Sequence, residues 1–204
     1  MSSPNPRSAD KARSTKETSI DISVAVDGIG TTDISTGIPF FDHMLSQLGK
    51  HGGMDLRVHC VGDIEIDTHH TIEDVGIAFG EAFREALGDK AGVRRFASSA
   101  VPLDEALIEV AVDLSGRPFL VYEVDPSGGT GQTFLLGEPG FDPQLAEEFW
   151  RAFTVASMIT LHIRMRAGKN THHIVEASFK AVARALRDAV RVESFGIPST
   201  KGTL

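Results

Sequence analysis

Apolar residues alternate along residues 17–26 (Ile20, Ile22, Val24, Val26), the period of a strand with one buried face. Gly28-Ile29-Gly30 predicts a turn into a second short strand. Phe41, Met44, Leu45 and Leu48 share one face of a helix predicted over 40–49. Residues 56–66 read as two strands broken at Gly62-Asp63, and helical spacing over 71–87 ends at Gly88, a C-cap residue. In the second half, 107–114 and 119–124 alternate like paired strands around Ser115-Gly116-Arg117-Pro118. The Gly-rich stretch 125–139 predicts a mobile loop. A helix over 143–157, a strand over 159–165 and a long amphipathic helix over 171–192 follow. Residues 1–14, rich in Ser, Pro, Arg and Lys without periodicity, predict a mobile N-terminal arm.

The two halves repeat one another. His69-His70-Thr71-Ile72-Glu73 opens the helix of the first half, and His172-His173-Ile174-Val175-Glu176 opens that of the second, 103 positions later. Each half runs strand-strand-helix-strand-helix. The predicted division is a first half-domain over 15–98, a second over 99–193 and a tail over 194–204. The predicted class is α+β: duplicated βαβ-type half-domains with a helical layer packed between two mixed or antiparallel sheets. No GxGxxG or P-loop sequence is present.

Composition narrows the partners. A net charge of −8 disfavours general nucleic-acid binding, which needs cations to neutralise phosphates. No apolar run approaches the roughly 20 residues that span a bilayer, so no membrane role is expected. Residues 1–16 lack the apolar stretch of a signal peptide. The one cysteine, Cys60, cannot form an internal disulfide, which fits a reducing cytoplasm and a structural thiol.

The paired histidines bring the chemistry. On a helix, residues i and i+4 lie about 40° apart, while i+1 turns away by about 100°. His69 with Glu73, and His172 with Glu176, can each clamp one ion from a single face, leaving His70 and His173 to reach another. A lone His-His pair at a helix start is ordinary surface decoration. Two copies with Glu at the same offset in an internal repeat point to metal ligation. Facing each other, within a chain or across subunits, the two helices would hold two ions with three ligands each. Imidazole and carboxylate donors without thiolate suit Mn, Fe, Co, Ni or Zn, and several carboxylates favour an octahedral ion.

Further stretches make the sequence resemble the imidazoleglycerol-phosphate dehydratase family. They are Phe41-Asp-His43-Met-Leu, His51-Gly52, Asp67-Thr-His-His-Thr-Ile-Glu-Asp74, Asp113-Leu-Ser-Gly-Arg-Pro118, Gly168-Lys-Asn-Thr-His-His-Ile-Val-Glu-Ala-Ser-Phe-Lys180 and Pro198-Ser-Thr-Lys-Gly202. The resemblance implies dehydration of imidazole glycerol phosphate to imidazole acetol phosphate in histidine biosynthesis. It also implies two Mn²⁺ per active site and trimers assembled into a 24-subunit homo-oligomer with sites between subunits. One ion would take His43, His70, His172 and Glu176, the other His69, Glu73, His173 and one further side chain. Several relatives carry a histidine where this chain has Glu148, which could donate oxygen instead or could equally be a solvated helix carboxylate; His162 is the competing donor. The resemblance implies Glu17 and His51 as catalytic groups. It implies Gln47, Arg95, Arg117, Lys180, Ser199 and Lys201 as substrate-binding groups, the last five around the phosphate.

The reaction sets a chemical demand, because the hydrogen lost from carbon is not adjacent to a carbonyl. Two metals on the ring nitrogens would stabilise an imidazolate, from which hydroxide leaves through a diazafulvene-like intermediate. A general acid/base must move the protons. The rival classes are a dimetal phosphatase or amidohydrolase, and a non-catalytic shell whose ions only join subunits.

Overall fold

The computed structural model describes residues 7–193 and 196–202. The chain folds in the order β1 (Ser8–Ser14), β2 (Thr18–Ala25), β3 (Thr32–Ser35), α1 (Pro39–Gly52), β4 (Asp55–Gly62) and α2 (His69–Leu87). It then repeats that order as β5 (Phe96–Leu103), β6 (Ala106–Asp113), β7 (Phe119–Glu123), α3 (Leu145–Ser157), β8 (Thr160–Ala167) and α4 (Thr171–Ala189). Each repeat makes one four-stranded mixed sheet, ordered β1-β2-β4-β3 and β5-β6-β8-β7. β3 runs parallel to β4 and β7 parallel to β8, so α1 and α3 serve as the crossovers that parallel neighbours require. The α+β class and the two-sheet layering read from the sequence are those observed.

Alternation along β2 buries Thr18, Ile20, Ile22 and Val24, and along β4 Leu56, Val58 and Cys60. These faces meet a layer of four helices. α1 and α2 lie on the first sheet, α3 and α4 on the second, and the closest helix pairs join the repeats: α2 with α3, and α1 with α4. Gly76 and Gly80 let α2 approach α3 at backbone distance. A Cβ at Gly80 would stand 2.6 Å from the Ala156 Cβ and 2.7 Å from the Phe153 carbonyl oxygen. Phe149 of α3 ties the layer together, its ring 5.4 Å from that of Phe41 (α1), 6.5 Å from Phe79 (α2) and 5.4 Å from Phe179 (α4). Truncating this fully buried ring should cost about 3–5 kcal/mol. Denaturant unfolding of Phe149→Ala is the measurement, and a loss below about 1 kcal/mol would mean the layer does not depend on that ring.

Four sequence expectations need correction. The mobile arm does not extend to Ser8–Ser14, which pairs antiparallel with β2 from Ser8↔Ala25 to Ser14↔Ser19; residues 1–6 lie outside the described residues. As an edge strand, β1 buries only Ala9, so it shows little hydrophobic period. Its order comes from the backbone ladder, from the Lys11–Glu85 ion pair, and from Arg13, whose Nε and Nη2 donate to the Asp74 carboxylate at 3.0 and 2.9 Å. β5 is the equivalent unread strand, and it straddles the expected boundary between residues 98 and 99. Residues 56–66 hold one strand, which ends where the Asp63 N–H donates to the Glu17 carbonyl. The loop expected to be mobile over 125–139 is pinned to the second His-His helix, and Gly140 and Phe141 just beyond it to the first and to α1. Thr68 Oγ1 donates to the Gly140 carbonyl, Thr171 Oγ1 donates to that of Pro126, and Phe141 is buried against Phe40 at 5.2 Å.

Candidate metal centre and anion pocket

Asn170 caps α4, its side chain accepting the His173 N–H, and so fixes where the His-His pair falls on the helix. His172 and Glu176, one turn apart, bring Nε2 and Oε2 to 2.9 Å. The packing of α1 on α4 adds His43, whose Nε2 lies 3.3 Å from the same carboxylate oxygen. Among the described residues these three make the one cluster of His, Cys, Asp or Glu donors in which all ligand atoms lie within 4.8 Å of one another. An octahedral ion with ligands at about 2.1 Å spaces neighbouring donors by about 3 Å, so the donor set fits a divalent ion of that kind.

Glu176 is 8% exposed, and Lys180 Nζ stands 2.6 Å from its second oxygen. Burial pushes its carboxyl up, but hydrogen bonds from Lys180 and His172 outweigh that and hold it below the usual range, as an anion. The face of α1 continues the site at one residue per turn. Gln47 lies 3.5 Å from His43 Nδ1, and His51 Nε2 lies 3.0 Å from Gln47 Oε1. His51 is held below its ordinary proton affinity by burial, then by the charges of Lys180 and Arg184. It is therefore neutral at pH 7, with one ring nitrogen able to accept.

The other histidine helix presents a separate set of groups. His69 Nε2 lies 3.9 Å from Glu73 Oε2 on one face of α2. His70 turns away, its Nδ1 3.1 Å from the Asp63 carboxylate and 3.9 Å from that of Glu17. The hydrogen bond to Asp63 raises its proton affinity. Glu148, in the first turn of α3, lines a groove between α2 and α3 with Glu73 and lies 3.5 Å from Arg151 Nε. His173 points its Nδ1 at Glu105, 2.8 Å away. The structure thus gathers His43, His172 and Glu176, and separately His69 with Glu73. It brings neither His70 to the first group nor His173 to the second. His162 lies on β8 in a depression with Ser98, Glu109, Arg164 and Arg166, apart from both.

Arg95, Arg117, Ser199 and Lys201 line one cavity of about 550 Å³ with Pro198 and Thr200. Arg95 binds Asp113 through two N–H groups, at 2.7 and 3.1 Å, and donates a third to the Pro198 carbonyl at 2.8 Å. It anchors the tail over the cavity as much as it supplies charge. Arg117 is 66% exposed and Lys201 is exposed, so both are open to an anion. Lys180 stands apart, beside Glu176. Of the tail expected over 194–204, residues 194, 195, 203 and 204 lie outside the described residues. Buried Lys90 donates to the Leu114 carbonyl at 3.2 Å and so holds the segment leading to Arg117.

Sequence reasoning missed Asp63, Glu105, Asp74 and Lys90. One signal for Glu105 was present, since it stands 88 positions after Glu17 just as β6 follows β2.

The sequence pattern of the imidazoleglycerol-phosphate dehydratase family matches residues 36–186. The chain is 56% identical over 201 residues to an imidazoleglycerol-phosphate dehydratase of Acidothermus cellulolyticus, covering 98% of this chain and 94% of that one. It is 54% identical to one of Frankia casuarinae, covering 97% and 99%. The solved structure of the dehydratase from Staphylococcus aureus superposes with a TM-score of 0.77 at 36% identity over 89% of this chain and 97% of that one. That from Pyrococcus furiosus gives 0.77 at 38% over 95% and 100%. With its fold and nearly its full length matched, the chain belongs to the imidazoleglycerol-phosphate dehydratase family, lyases of histidine biosynthesis.

Proposed function

We propose that this chain dehydrates imidazole glycerol phosphate to imidazole acetol phosphate in the cytoplasm, at a site that holds two Mn²⁺ between subunits of a 24-subunit assembly built from trimers. The observation that carries the reading is the convergence of His43 Nε2, His172 Nε2 and Glu176 Oε2, with the remaining imidazoles held elsewhere on the same chain. A chain that offers three donors at one place, and His69, His70 and Glu73 at another, is built to complete its sites against another copy. His70 of one copy would then complete the first site. The second would take His69, Glu73 and Glu148, together with His173 from another copy.

Two divalent ions, if held by these residues, would supply Lewis acidity to the imidazole ring, the chemistry that the imidazolate route calls for. The protein's own groups do the rest. Arg117, Lys201 and Ser199, with Arg95 behind them, hold the phosphate and so fix the distance from it to the ring. Lys180 keeps Glu176 ionised. Neutral His51, steadied by Gln47, offers a hydrogen bond to the glycerol hydroxyls, and Glu17 moves the proton on carbon.

The direct test loads metal-stripped protein with Mn²⁺, adds imidazole glycerol phosphate and follows the enolised ketone by ultraviolet absorbance. Ketone formation supports the dehydratase. Release of inorganic phosphate instead would make the chain a phosphatase, and metal uptake without any product would leave only a metal-joined shell. Light scattering of the same samples should show chelation reducing the assembly, and a large metal-free assembly of unchanged size would remove the shared sites.

A further inference from the structure

The two repeats treat the second histidine of each pair alike, although the groups that do so are not equivalent. His70 turns Nδ1 to Asp63, at the end of β4, and His173 turns Nδ1 to Glu105, in the two-residue turn between β5 and β6. An imidazole whose Nδ1–H is held by a carboxylate has its Nε2 free as a lone-pair donor, and the carboxylate raises the basicity of that nitrogen. Glu105 does more than meet the ring. Its other oxygen accepts the N–H groups of Lys169 and Asn170 at 3.0 and 2.7 Å, immediately before α4. One side chain therefore fixes both where α4 starts and which way the His173 ring faces.

We infer that Glu105 is a positioning residue that presents His173 Nε2 to one of the two metal ions, and that Asp63 does the same for His70 and the other ion. This rests on the dimetal reading above. The duplication also explains why the partners differ. Glu17 is the repeat-mate of Glu105, and it lies near His70 at 3.9 Å without bonding it, because Asp63 has taken the orienting role. Each repeat keeps a second carboxylate near its histidine: Glu17 is 3.9 Å from His70 Nδ1, on the same nitrogen that Asp63 meets, and Asp104 is 3.7 Å from His173 Nε2, on the nitrogen opposite Glu105.

Calorimetric titration of Mn²⁺ into the metal-stripped full chain separates the possibilities. The native chain should bind two ions per chain, and binding of fewer removes the dimetal reading itself. Glu105→Ala should weaken one class of site by about 10–100-fold and leave the other unchanged. Asp63→Ala should weaken the other class by a similar factor. Glu105→Gln keeps an acceptor for the backbone N–H groups but loses the charge, so it should fold like the native chain and still lose affinity at the same site. Two native-like affinities in both Glu105 variants would overturn the inference. So would an equal loss at both sites in Glu105→Ala accompanied by a lower melting temperature of the metal-free protein, since that is what a helix-anchoring role alone produces.

Discussion

Replacing Glu176 by glutamine is expected to lower kcat by about 10³-fold or more and to remove one of two bound Mn²⁺ ions. Two effects act together. The carboxylate oxygen that both His43 and His172 approach becomes a neutral amide, a poor donor to a hard divalent ion. An ion lost there forfeits several kcal/mol of charge stabilisation in the transition state, and each 1.36 kcal/mol is worth tenfold in rate. The second effect falls on Lys180. Its ammonium is 18% exposed and stands 2.6 Å from Glu176, so the variant leaves a cation at the proposed metal site with its counter-charge gone. That cation opposes rebinding of the ion, and excess Mn²⁺ should recover only part of the activity. Steady-state kinetics with metal analysis of the dialysed variant checks both points. A variant that keeps native kcat and native metal content would dissociate the triad from catalysis.

The parts of the molecule legible in the sequence are those whose cause is local. The i, i+4 spacing of His172 and Glu176 places them on one face wherever the helix packs, and the structure has their atoms 2.9 Å apart. The alternation of Ile20, Ile22 and Val24 marks β2 because its face is buried. β1 and β5 gave no such mark, since an edge strand is held by a neighbour's backbone and by ion pairs such as Arg13 with Asp74, 61 residues apart. The residues that orient the histidines were hidden for the same reason. Asp63 looked like a turn former and Glu105 like the tip of a hairpin, and only folding shows that each faces an imidazole. The loop over 125–139 misled in the opposite sense. Its glycines give it turns at Gly128, Gly129 and Gly131, with φ of +61°, +88° and +70°; its Pro126 carbonyl holds the start of α4, and Gly140 just beyond it holds the start of α2.

Glu17→Gln is expected to reduce kcat by about 10²–10⁴-fold, the contribution of a positioned acid/base, with KM and metal content close to native. The expectation follows from comparing Glu17 with Glu105. Glu105 has both oxygens engaged, one by two backbone N–H groups and the other by the His173 ring. Glu17 sits at the matching turn with its side chain 53% exposed and no side-chain hydrogen bond among the described residues. Its backbone carbonyl accepts the Asp63 N–H, which fixes the turn beside His70 while leaving the carboxyl unengaged. Arg13 and Thr18 reinforce that placement from either side of the turn by binding the buried Asp74 of α2. A carboxyl held beside His70, yet free of hydrogen bonds of its own among the described residues, suits exchange of a proton with substrate. The amide cannot perform that exchange, while it keeps the shape and leaves the phosphate cavity untouched. A loss in kcat without a change in KM or in bound Mn²⁺ is therefore the signature to seek. Equal kcat in the two proteins would move the proton transfer to another group, with His51 the next to replace.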